Sequence, residues 1–185
     1  EIDEGLVGSE MCIRDSIVFN HLSNLIQQKY DDKGKIAASG KLNLDLFRHL
    51  QSLEYYKLKS PKSLGVEWVN DIIFPILSEY SRLSVTDLLH TFSNHFAEQI
   101  SDNIDTNSKV LITGGGAYND YLIQRIKDLT DCKIDIPDST IIEYKEALIF
   151  GFLGVLRDLN INNCYSSVTG AKKDHCSGKI IIPKI

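Results

Sequence analysis

Thr113-Gly114-Gly115-Gly116-Ala117-Tyr118-Asn119 sets three consecutive glycines between an apolar run and a helical pattern. Glycines at a strand-to-helix junction let backbone pass close to a ligand, and the first helical N–H groups with the helix dipole favour a phosphate or a ribose. A tight turn that needs positive φ has the same composition, and spacing alone leaves both readings open. Two nucleotide motifs can be tested. No G-x-x-x-x-G-K-[ST] occurs, so the turn is not a P-loop, and Asn119 stands where a dinucleotide fingerprint wants its third Gly or Ala. Asp135 does lie downstream, but the unit comes late in the chain and starts no βαβαβ, which makes dinucleotide binding the weaker reading.

Three further stretches carry polar groups. In Ser60-Pro61-Lys62-Ser63-Leu64-Gly65, Lys62 could meet a phosphate or a sugar carboxylate as a point charge; alternatively it is solvated and Ser63 caps the next helix. Glu143-Tyr144-Lys145-Glu146-Ala147 opens an apolar helix, where acidic residues are expected from the dipole alone. Glu146 sits one position before the buried face that includes Ala147 and Gly151, which puts it at the rim of a cleft instead of in open water. Ser167-Val168-Thr169-Gly170-Ala171 reads as a loop of small residues. His90 and His95 are not at i,i+4 and the four cysteines form no C-x-x-C pair, so neither a zinc site nor a disulfide framework is read here.

These stretches must be held by an α/β framework. Ile17, Phe19, Leu22, Leu25 and Ile26 make one apolar helix face ending at Tyr30, before the turn-rich Asp31-Asp32-Lys33-Gly34-Lys35. A loop through Ala37 to Gly40 is followed by a short helix over Leu44 to Leu53, then an apolar helix from Gly65 to Leu77 that Pro75 interrupts. A longer helix opens at Ser84, with Asp87 as the reciprocal cap, and buries Val85, Leu88, Leu89, Phe92, Phe96 and Ile100. Lys109 to Thr113 reads as a buried strand, Tyr118 to Leu129 as a helix, and Lys133 to Ile136 as a second strand. Ile142 to Leu159 is a strongly apolar helix, and Lys179 to Pro183 offers an edge strand. Residues 1–16, with the only Met and no helical or strand periodicity, look like a translated adapter sequence and are set apart as a non-native leader.

Composition narrows the function. With 185 residues, 43% hydrophobic and 24% charged, the chain is a globular domain rather than a disordered segment. A net charge of −5 without a basic block argues against nucleic acid, and no run approaches the roughly 18 apolar residues of a membrane span. The expectation is a cytoplasmic protein with no membrane or nucleic-acid partner.

Taken in order, Tyr30 to Lys41, Pro61-Lys62-Ser63-Leu64-Gly65-Val66-Glu67-Trp68, Thr113 to Asn119, Glu143 to Leu148 and Ser167 to Ala171 resemble the C-terminal half of the anhydro-N-acetylmuramic acid kinases. Five ordered blocks are specific where a lone glycine triplet is not. Val66 departs from the pattern, since many relatives carry Arg there. The resemblance implies an actin-like (ribonuclease H-like) α/β fold, as in hexokinases, with ATP and Mg²⁺ held in a cleft between two halves. Residues 17–185 would be part of the C-terminal lobe, helical over 17–107 and nucleotide-binding over 108–185. It implies opening of the 1,6-anhydro sugar by water and phosphorylation of its 6-oxygen, giving N-acetylmuramic acid 6-phosphate for peptidoglycan recycling. Gly114, Gly115, Gly116 and Asn119 would line the adenosine, and Glu146 would be a carboxylate on or behind the sugar side. The family's phosphate loops and catalytic aspartate belong upstream of Tyr30 and have no match here, so the base goes unnamed and the chain is expected to be inactive alone. Homodimerisation of the full-length protein stays open. An actin-like nucleotide-binding module without a sugar substrate and a helical interaction domain with structural glycines are the alternatives.

Overall fold

The computed structural model describes residues 7–58 and 65–181. These form two compact units, Glu1–Pro137 and Asp138–Ile185.

The first unit is built on α7 (Val85–Ser101). Ser84 Oγ accepts from the Asp87 N–H at 3.1 Å and starts the helix, as its sequence predicts. Asp87 also reaches outside the helix: its Oδ1 accepts from the Lys41 N–H at 2.7 Å, and this bond and one to the Ser84 side chain hold its pKa below the usual carboxylate value. Nine α7 residues are buried, among them Leu88, Leu89, Phe92, Phe96 and Ala97. The helices α1 (Val7–Asn24), α2 (Lys35–Ser39) and α3 (Leu44–Gln51) pack against it. Phe19 of α1 meets Phe92 edge-on at 5.4 Å and Phe96 at 6.3 Å. Such pairs add about 0.5–1.5 kcal/mol beyond their buried area.

Three details depart from the sequence pattern. First, α1 ends at Asn24, so Leu25 and Ile26 are exposed. Gln27 takes positive φ (60°), with Gln27 N–H to Asn24 C=O at 3.0 Å and Gln28 N–H to Ser23 C=O at 3.0 Å. That is a Schellman stop made without glycine, invisible to a hydrophobic pattern. Upstream, α1 runs back to Val7 through the presumed leader, since extending an existing helix is cheap once it is nucleated. Second, Ala37 to Gly40 is no loop, because Asp31 caps α2: its carboxylate accepts from the Ile36 and Ala37 N–H groups at 2.8 and 2.9 Å. Third, Pro75 falls at the start of α6 (Phe74–Glu79), after α4 (Glu54–Lys57), α5 (Val66–Trp68) and a π-helical turn over Val69–Ile73. The wider turn accommodates the N–H that proline lacks, which is how the interruption is realised.

From α7 the chain enters β1 (Lys109–Leu111), α8 (Asp120–Leu129) and β2 (Lys133–Asp135). The strands are parallel, with Lys109, Val110 and Leu111 opposite Lys133, Ile134 and Asp135. Leu122 and Ile126 of α8 join Phe96 and Ala97 in a second cluster, against which Ile112 and Ile134 pack. β1 is not buried as expected: Leu111 is 60% exposed, because the sheet has two strands among the described residues and neither flank is covered.

The second unit contains α9 (Ser139–Asp158) and α10 (Ser166–Thr169). Asp138 Oδ1 caps α9 by accepting from the Ile141 N–H at 3.1 Å. After α9 the chain is tied down by polar contacts: Arg157 Nε donates to Gly178 C=O at 2.8 Å, and Asp174 accepts from the Ser166 N–H and hydroxyl at 2.8 and 2.7 Å. Ser166 to Thr169 is thus a helical turn rather than a loop, and residues 179–181 form no strand; Pro183 lies outside the described residues. The largest departure is α9 itself. Ala147 and Gly151 are exposed, as are Tyr144, Leu148, Phe150, Phe152 and Val155, and only Ile142 is buried. A helix apolar on every side is a core element.

His95 is 1% exposed among Phe47, Tyr56 and Phe92, and neither ring nitrogen has a hydrogen-bond partner. Burial lowers its pKa to about 3. Between that value and the ordinary 6.5, the unfolded chain holds a proton that the folded chain does not. Its contribution to stability is therefore complete above about pH 6.5 and is lost as pH falls, by up to about 1.4 kcal/mol per pH unit. Glu98, its carboxyl pushed up by burial, works in the opposite sense. Thermal melts from pH 7.5 to 5 should show falling Tm, and His95→Leu should flatten that slope. A second melt tests the leader: removing residues 1–16 keeps the buried Val18 and Leu22, so stability should change by no more than about 0.5 kcal/mol. A Tm many degrees lower would show that the segment packs.

Candidate functional site

Gly114 to Asn119 lies in the first unit, where the sequence places it, between β1 and α8. Gly114 has φ 81° and ψ −177°, a conformation open essentially to glycine alone. The 3₁₀ turn Gly115–Tyr118 follows, with Ala117 N–H to Gly114 C=O and Asn119 N–H to Gly116 C=O both at 3.0 Å. Ala117 is buried and anchors the turn. The backbone need for positive φ is thus met by Gly114; Gly115 and Gly116 do not share it. A Cβ at either of these two would meet no atom within 4 Å. Among the described residues neither backbone nor packing asks for glycine there.

Asn119 caps α8, its Oδ1 accepting from the Leu122 N–H at 3.0 Å. Behind it stands a polar chain between α8 and α7. Arg125 Nε donates to Asn94 Oδ1 at 2.9 Å, Asn94 Nδ2 donates to Tyr121 Oη at 3.0 Å, and the His90 ring lies 5.5 Å from that of Tyr121. His90 Nδ1 in turn lies 2.8 Å from the Ala37 carbonyl of α2.

Asp31 to Gly34 carries no role in the sequence pattern beyond its place in the first resembling block. In the structure this turn abuts Asn119 and Tyr121, and Lys33 Nζ lies 3.8 Å from Asp120 Oδ2. Both ends of that ion pair are well exposed, so it contributes little. The turn-rich composition before a helix was the available signal. Glu146 lies in the second unit, exposed on α9. Lys62 and Ser63 lie outside the described residues. No group of three His, Cys, Asp or Glu side chains suited to a metal occurs among the described residues, so none is assigned to Mg²⁺. Among them, too, no helix is long and apolar enough to cross a membrane.

Comparison with known proteins gives the geometry its context. A family model described as anhydro-N-acetylmuramic acid kinase matches residues 11–183. The protein of that name from Francisella tularensis subsp. novicida is 33% identical over 171 residues, covering 84% of this chain and 44% of the relative. The namesake from Clostridioides difficile is 34% identical over 176 residues, with coverages of 84% and 44%. One from Shewanella putrefaciens is 27% identical over 182 residues, with 95% and 49%. The chain spans about half the length of the curated relatives it matches. With most of its residues inside that family model, the chain belongs to the anhydro-N-acetylmuramic acid kinase family.

Proposed function

We propose that the whole protein is an ATP-dependent kinase of 1,6-anhydro-N-acetylmuramic acid, and that this chain supplies the nucleoside side of its cleft. Water opens the anhydro bridge and the γ-phosphoryl group goes to the 6-oxygen, leaving N-acetylmuramic acid 6-phosphate and ADP. The observation that carries the nucleoside assignment is the pair Gly115 and Gly116, glycine without a structural cause in a family of kinases. Backbone at these positions and at Gly114 would pass along the ribose and base. Asn119 spends its Oδ1 on the α8 cap, which leaves its Nδ2 as the donor toward the nucleoside. Glu146 is proposed as the sugar-side carboxylate, and the base and phosphate loops as parts of the remaining half. Mg²⁺ would travel with the phosphates and neutralise their charge.

The fold we infer for the whole is actin-like, with residues 17–185 as part of its C-terminal lobe, helical over 17–107 and nucleotide-binding over 108–185. Two open features support it. Parallel sheets are buried on both faces and a lone pair of strands is marginal, so β1 and β2 call for further strands. The apolar surface of α9 calls for a cover of comparable size. The uncovered half of the relatives' length is available for both.

Two experiments test this reading. The purified chain incubated with MgATP and anhydro-N-acetylmuramic acid should yield no sugar phosphate, because orientation of base, metal and acceptor is worth roughly 7–11 kcal/mol of barrier and half a cleft cannot supply it. Turnover well above blank would refute the division of the site. The second uses the chain joined to a family-like first half. Gly115→Val or Gly116→Val should weaken ATP by at least ~1.4 kcal/mol, a factor of ten, with sugar affinity nearly unchanged. Since a side chain there meets only open space, Tm should hold. A variant that melts early yet binds ATP normally would move the adenosine elsewhere.

A further inference from the structure

A Cβ at Gly114, Gly115 or Gly116 would meet no atom within 4 Å, and the turn is anchored by the residues that follow them. First after the glycines comes the buried Ala117. Two residues on is Asn119, wedged between α8 and a backbone segment far away in sequence. Gly34 is buried and left-handed (φ 72°, ψ 20°), and its Cα lies so close to Asn119 that an added Cβ would overlap the amide oxygen, come within 3.1 Å of Asn119 Cγ and within 2.6 Å of Tyr121 Cβ. The turn carrying Gly34 is itself fixed. Its N–H donates to Asp31 C=O at 3.2 Å, the Asp31 carboxylate holds the first N–H groups of α2, and α2 is bound to α7 through His90.

We propose that Gly34 is a positioning residue for the nucleotide site: by leaving room for the Asn119 side chain, the Asp31–Gly34 turn acts as a strut from α7 that sets the angle at which Gly115 and Gly116 face the nucleoside. This rests on the nucleoside reading given above and adds the element that holds the site in register. Asn119 is the link, since its side chain meets the strut and its backbone N–H closes the Gly116 turn.

The test uses the chain joined to a family-like first half, with ADP as the probe. Gly34→Ala, Asn119→Ala, the double variant and Lys33→Ala are each titrated calorimetrically with ADP, and exchange of the Leu122 amide is followed by NMR. Gly34→Ala should weaken ADP at least tenfold and speed Leu122 exchange, because the displaced Asn119 can no longer accept from that N–H. In the Asn119→Ala background the amide contact is gone while the approach to Tyr121 Cβ and the positive φ remain, so adding Gly34→Ala should weaken ADP by clearly less than it does in the unsubstituted protein; if Gly34→Ala alone folds poorly, Asn119→Ala, which keeps Gly34, should still weaken ADP and speed Leu122 exchange. Lys33→Ala removes the exposed ion pair and should leave ADP affinity within twofold. Independent, multiplicative effects of the two substitutions, or a Leu122 amide as protected in Gly34→Ala as in the unsubstituted chain, would overturn the strut while leaving the nucleoside reading intact. An unsubstituted joined protein that binds no ADP would overturn that reading, and Gly34's role with it.

Discussion

Burial of α7 on several sides is the constraint from which the first unit follows. Its nine buried residues are covered in turn by α1, α2, α3 and α8. Four polar contacts tie neighbouring segments to that helix: Lys41 to Asp87, Asn43 to Thr91, Ala37 to His90 and Arg125 to Asn94. Removing the Phe92 ring would cost about 3–5 kcal/mol, a large share of the stability of a domain this size. It would also loosen the frame from which the site is hung. Position and stability are not separable here, which is why informative substitutions lie at the turn itself, where side chains meet open space.

A polar group can be used twice in such a frame. Asn119 closes the turn with its N–H, caps α8 with its Oδ1 and fills the hollow left by Gly34. Asp87 supports the start of α7 and also anchors Lys41. Reused groups of this kind explain why a loop of small residues can be rigid without a hydrophobic core of its own.

What could be read from the amino acids was what periodicity and capping encode. The α7 face, the Ser84 cap, the strand–turn–helix around the glycines and the second strand all stand close to their expected bounds. The family was legible from five ordered blocks, and the residues of the glycine turn fall where the pattern puts them. Failures came where a distant or unusual group decides local structure. Helix α2 is capped by a carboxylate five and six residues before the N–H groups it holds, and α1 stops on a left-handed Gln27 for which composition holds no signal. Fit between Gly34 and Asn119 is a contact across 85 positions that no local pattern contains. Burial of β1 and of Ala147 on α9 is what their apolar surroundings in sequence suggest, yet Leu111 and Ala147 are exposed, because a hydrophobic pattern marks a face as apolar without saying what covers it.

That last point has a kinetic side. Phe150 at 71% and Phe152 at 60% exposure, with Leu148 and Val155, give α9 the surface of a folding intermediate within an otherwise finished structure. Two processes compete for such a surface. A covering segment on the same polypeptide acts at an effective concentration in the millimolar range whatever the protein level, whereas another copy acts only at its bulk concentration. Covalent attachment therefore decides which wins: the linked form would bury α9 in a first-order step, and an unlinked one would be drawn into association faster the more of it is made.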